Sequence, residues 1–209
     1  MITYLLQGIV FGFVSGISPG PLLGLMISQT LRSGWRVGLR VALAPLFSDA
    51  PMILFFVFVL GHVPDLVLHG ISIVGGLFVI YLGYETVQSA RKSRMELPDK
   101  VRGQSRHVLL TAVTTNLLNP HPYLFWATVG SAILLQGFAS YGISGSAGFL
   151  IGFYALLIGT KIVMIFLLNW GRSWLQGNTY HTLLIVSGLL LIGLGVWLFW
   201  EGWQALHWG

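Results

Sequence analysis

Ser18-Pro19-Gly20-Pro21-Leu22-Leu23 interrupts an otherwise apolar run at residues 3–31. Asn119-Pro120-His121-Pro122-Tyr123-Leu124 does the same inside a second long run at 108–136. Proline removes a backbone donor and clashes with the preceding turn, costing about 3 kcal/mol or more inside a helix. Two prolines one residue apart should break a helix outright. Counted inward from Arg32 and from His107, both breaks fall near the middle of a bilayer. Open backbone at that depth is tolerated only where it is buried in protein or lines a cavity. Paired interruptions at matching places in two halves are a sequence pointer to a transport site.

The rest of the chain fits that setting. Hydrophobic residues make up 55% and charged residues only 8%, against about 25% charged in a soluble domain. Six apolar runs can be marked, at 3–31, 38–61, 66–90, 108–136, 145–171 and 181–204. Each reaches the roughly 20 residues needed to cross a bilayer. The expected fold is an all-α polytopic membrane protein with six transmembrane helices. The N-terminus lacks a basic n-region and a small-residue cleavage site, so the first run reads as a retained helix.

The formal charge of +5 forms no face or stripe that would suit nucleic acid. Arg32, Arg36 and Arg40 lie in the first connection, Arg91 to Arg106 in the third and Arg172 in the fifth. The positive-inside rule therefore places those connections in the cytoplasm and both termini outside, in a cell inner membrane.

The polar segment 91–107 divides a single transmembrane domain, 1–209, into a first repeat of about 1–90 and a second of about 108–209. Shifted by 112 positions, Ile73-Val74-Gly75-Gly76-Leu77 meets Ile185-Val186-Ser187-Gly188-Leu189, and Ser48-Asp49 meets Thr160-Lys161. The two proline breaks align at an offset of 101. An odd number of helices per repeat inverts the second copy. The halves should thus form two inverted three-helix repeats, an architecture common among secondary transporters.

Asp49 and Lys161 are the charges deepest in their helices. An ionised group at the bilayer centre costs at least about 2.5–3.5 kcal/mol on insertion scales, so each should face the interior and find a partner. The repeat predicts that they pair with each other, and that a proton or zwitterionic substrate opens the pair. Asn116 and Asn119, one turn apart before Pro120, have amides for freed carbonyls or for a substrate carboxylate. Ser18 and Thr160 read the same way. His121 sits between the two prolines as a titratable group. Glu85 reads as solvated or paired with Arg91. The binding set is therefore Ser18, Pro19, Gly20, Pro21, Asp49, Asn116, Asn119, Pro120, His121 and Lys161.

No metal-ligand spacing links the six histidines, and there is no cysteine. No phosphate-binding glycine loop and no nucleophile–base set appears, so neither an enzyme nor a cofactor is expected.

The order of these motifs resembles the lysine-exporter/homoserine-threonine-resistance (LysE/RhtB) family. It runs from Ser-Pro-Gly-Pro at 18–21 through Arg-Ser-Gly-Trp-Arg-Val-Gly-Leu at 32–39 and Asp49 to Asn-Leu-Leu-Asn-Pro at 116–120. The resemblance spans essentially the whole chain. It implies export of amino acids or related small metabolites, driven by an ion gradient such as that of protons. Its motifs fall on Pro19, Gly20, Pro21, Asp49, Asn119 and Pro120. The family commonly has lysine after Asn-Pro, where this chain has His121 and then Pro122. Pro45 and Pro51 around Asp49 are a further departure and predict a kink in the second helix. Two alternatives stand beside amino-acid export: efflux of a metal cation or other solute, and lipid handling. The glycine-rich third and sixth runs also suggest a face for a homodimer.

Overall fold

The computed structural model describes residues 2–18, 20–62, 65–91, 107–170 and 178–208. These residues are helical almost throughout, with no strand among them. The first run becomes α1 (Ile2–Ile17) and α2 (Pro21–Ser33), bent against each other by 61°. Pro21 opens α2, where its missing N–H costs nothing. Pro19 lies outside the described residues. Gly34, at φ 87°, ends α2 in a backbone conformation that favours glycine.

The second run divides into α3 (Trp35–Ala42) and α4 (Ala44–Leu60), with Pro45 in the first turn of α4 and Pro51 inside it. Next come α5 (Asp65–Arg91) and α6 (Val108–Leu117). Asn119 is extended, as suits a residue before proline, and α7 (Pro120–Phe125) starts immediately after it. A π turn (Trp126–Gly130) links α7 to α8 (Ser131–Tyr141). Then follow α9 (Ile143–Trp170) and α10 (Asn178–Trp208).

Among the described residues, four helices are long and apolar enough to cross a membrane: Trp35–Leu60, His121–Tyr141, Ile143–Leu168 and Ile185–Gln204. The bent α1–α2 pair makes a fifth if it counts as one span. In the third run α5 is a helix of 27 residues, of which Ile73–Gln88 forms a shorter apolar stretch among the described residues, so four or five of the six expected spans stand there. Large apolar side chains point outward all round the bundle, among them Leu54, Phe58, Ile143 and Ile151. A soluble protein would not expose so continuous a surface, and a multi-pass membrane protein covers it with lipid.

Two close pairings organise the interior. α1 packs along α9, where a Cβ on Gly12 would collide with the Phe153 carbonyl and one on Gly16 with the Thr160 hydroxyl. α5 packs along α10 through reciprocal glycines. A Cβ on Gly76 would stand 2.8 Å from the Gly195 carbonyl oxygen, and one on Gly195 2.7 Å from that of Gly76. Gly83 and Gly188 repeat this at 2.6 and 2.7 Å. Gly76, Gly83, Gly188 and Gly195 are thus occupied by contacts within one chain. Gly193, by contrast, meets nothing.

Candidate functional site

The break between α1 and α2 removes the normal partners of the last α1 carbonyls, since Pro19 carries no N–H. Lys161, on α9 and 4% exposed, donates from Nζ to the Gly16 carbonyl at 3.2 Å. A cation at a helix C-terminus is favourable both as a hydrogen-bond donor and against the helix dipole. The close passage of α1 over α9 at Gly16 brings the ammonium to that carbonyl.

At the other break the arrangement is complementary. Asp49, on α4 and 3% exposed, faces the end of α6. Asn116 donates both amide hydrogens, to Asp49 Oδ1 at 2.9 Å and to Ser48 Oγ at 2.7 Å. The end of α6 has bare carbonyls, which would repel a carboxylate, and the Asn116 amide supplies the missing donors. The Ser48 hydroxyl lies 3.1 Å from the Ala44 carbonyl and 3.3 Å from Asp49 Oδ1. Asp49 Oδ2 is less firmly held. Tyr154 reaches it at 3.4 Å, long for a hydroxyl hydrogen bond, and the Trp126 indole lies within hydrogen-bonding reach of the carboxylate.

Asp49 and Lys161 interact electrostatically across one cavity. Among the described residues no direct ion pair joins them, which corrects the expected pairing. Each charge instead docks on the broken helix nearest to it, where polar backbone and amide groups satisfy it locally. The cavity has a volume of about 380 Å³, in the range of small-ligand sites. The polar residues Ser15, Ser18, Asn116, Asn119, Glu85 and His121 line it together with the aromatic residues Phe11, Phe125, Trp126 and Phe153.

Of the residues marked in the sequence, Ser18, Gly20, Pro21, Asp49, Asn116, Asn119, His121 and Lys161 all line this one cavity. Their individual roles differ. Asn119 caps α7, its Oδ1 accepting from the His121 backbone N–H at 3.2 Å. The Ser18 hydroxyl returns to the Val14 carbonyl at 2.7 Å. Thr160 similarly returns to Leu156 at 2.7 Å. His121 is exposed at the cavity rim. Pro120 opens α7. Glu85 belongs to the cavity wall although sequence reasoning set it aside, and Tyr154 and Trp126 were missed. Tyr154 stands seven residues before Lys161, two helical turns away on the same face, a spacing that could have pointed to it. Trp126 carries no such signal.

Two broken helices and two opposite charges buried around one cavity, in a helical multi-pass bundle, place the chain in the class of membrane translocators. Residues 13–202 match the model of the LysE type translocator family. The chain belongs to that family, whose members are membrane translocators. It is similar to the chemotactic transduction protein ChpE of Pseudomonas aeruginosa, 26% identical over 202 residues, covering 93% of this chain and 96% of that protein. No solved structure matches it.

Proposed function

We propose that the chain is a secondary transporter that exports an amino acid or related small polar metabolite across the cytoplasmic membrane, coupled to protons. The observation that carries this reading is the pair Asp49 and Lys161, held apart on one cavity between two helix breaks. A zwitterion supplies the complementary charges. Its ammonium meets the loosely held Asp49 Oδ2. Its carboxylate meets the Lys161 donors left after Gly16 takes one, together with the opening N–H groups of α2. A bare metal cation would leave Lys161 as an uncompensated like charge in the same cavity, so the charge pattern favours the zwitterion. Asp49 is also the carboxylate that would carry the coupling proton.

Six crossings in two inverted repeats fit this reading, with α5 as the sixth span and both termini outside. The reciprocal glycine contacts support it. Positions 76 and 188 are equivalent in the repeat, as are 83 and 195. The contacts Gly76–Gly195 and Gly83–Gly188 therefore map onto each other when the halves are exchanged. The α1–α9 pairing maps likewise onto α6–α4. Lys161 at the end of α1 and Asp49 at the end of α6 are equivalent too. Rocking one repeat against the other would then move both charges relative to their helix ends.

Counterflow into proteoliposomes tests the substrate class. Labelled amino acids should exchange with internal unlabelled amino acid, and Lys161→Met should abolish the exchange. Exchange of divalent metal ions with none of any amino acid would replace this reading with cation efflux.

A further inference from the structure

The cavity ends against Phe11, Phe125, Trp126 and Phe153. These rings close on one another: Phe11 and Phe125 centroids are 5.5 Å apart, and Phe125 stacks on Phe153 at 5.3 Å. Beyond them, toward the start of α1, the packing is not purely apolar. Tyr4 donates to the Gln136 carbonyl at 3.3 Å and shares a 3.1 Å hydrogen bond with Ser140. α1 therefore runs antiparallel to the stretch from Phe125 to Ser140, touching it at Phe11 and again at Tyr4.

Two unpartnered polar groups lie in the layer between these contacts. Gln7, 5% exposed, falls on the same α1 face as Tyr4 and Phe11, three residues from one and four from the other. Its Oε1 is buried without a hydrogen-bond partner. Ser131, fully buried, is unpartnered at Oγ. Several helical hydroxyls in this bundle return to the carbonyl four residues back, as in Ser18, Thr30, Thr86 and Thr160, while Ser28 Oγ, on α2, is also buried without a partner. Ser131 makes no such return, and it directly follows the π turn, where its backbone N–H bonds to the Trp126 carbonyl five residues back. Buried unsatisfied polar groups are costly in a membrane interior, and π turns occur often at functional sites.

We propose that this layer is the second half of the translocation path. The four rings are its closed gate, and Gln7 Oε1 and Ser131 Oγ are a second polar station that accepts hydrogen bonds from the substrate's ammonium group once the rings part. This rests on the transport reading above, but its test also has an arm that needs no substrate.

The chain has no cysteine, so single cysteines can be introduced without background. Gln7→Cys and Ser131→Cys are reconstituted in liposomes and exposed to the impermeant trimethylammonium reagent MTSET from each side separately. At rest both should react slowly. During amino-acid turnover, labelling from the side of Tyr4 and Gln136 should accelerate roughly tenfold, as the gate-open state gains population. Phe125→Ala, or Phe11→Ala where that variant does not fold, should give the fast rate at rest. Val79→Cys, buried in α5, should stay unlabelled throughout.

Fast labelling in the ring variants with no effect of any amino acid would uphold the passage and sink the amino-acid reading. Amino-acid turnover with both cysteines slow at rest, in turnover and in the ring variants would overturn the passage and leave that reading standing.

Discussion

Replacing Asn116 with leucine, which is branched at the same carbon and has no donor, separates the two roles that the sequence left open for this amide. In the structure its hydrogens go to Asp49 Oδ1 at 2.9 Å and Ser48 Oγ at 2.7 Å, both buried. A hydrogen bond to a charged group contributes about 1.5–3 kcal/mol and a neutral one about 0.5–1.5 kcal/mol. Asn116→Leu should therefore cost about 2–4 kcal/mol in total. In a chain of this length each kcal/mol moves the thermal midpoint by about 2–4 °C, so the drop should be about 5–15 °C. The assay is thermal unfolding of the purified protein in detergent, run as a double-mutant cycle with Asp49→Asn. Neutralising residue 49 turns the charged bond into a neutral one of roughly half the strength. Asn116→Leu should then cost only about two-thirds as much, since the Ser48 bond is lost in both backgrounds, leaving a coupling of about 1 kcal/mol. If Asn116 merely repaired the α6 end, its loss would not depend on the charge at residue 49. Equal drops in both backgrounds would refute the claim that this amide holds the carboxylate.

Gly76→Leu and Gly83→Leu should each lower the thermal midpoint clearly, because a side chain there meets the backbone of α10 and overpacking costs about 1–3 kcal/mol. Gly193→Leu, with nothing near it, should change the midpoint little in the same melts. Lys161→Met should keep the fold, since the methionine stem fills the same space, while abolishing amino-acid exchange in proteoliposomes. Lys161→Arg should retain a measurable fraction of that exchange, because a donor to Gly16 and a positive charge remain. Tyr154→Phe should leave the melt nearly unchanged, as its bond to Asp49 is long at 3.4 Å; a fall of several degrees would mean that Oδ2 is held more firmly than the geometry indicates.

The features legible in the sequence were those that cost free energy in a membrane. Prolines in an apolar run and charges at mid-helix stand out against their surroundings, so both breaks, Asp49, Lys161 and Asn116 were marked, and all of the marked set but Pro19 and Pro120 line one cavity. Phe11, Phe125 and Phe153 were invisible because an aromatic residue in an apolar run has no contrast. Trp126 was invisible because a π turn sets its direction. The expected ion pair failed for a local reason. Pseudo-symmetry places Asp49 and Lys161 at equivalent positions, but equivalence does not require contact, and each charge finds polar groups at its own helix end.

In the proposed transport cycle Asp49 couples solute movement to a proton gradient. Uptake of a labelled amino-acid panel into inverted membrane vesicles, with and without an imposed pH gradient, tests it most directly when wild type is compared with Asp49→Asn. Wild type should show gradient-dependent uptake of at least one amino acid, and the variant should lose it. Uptake that persists in Asp49→Asn with the same response to the gradient would contradict it.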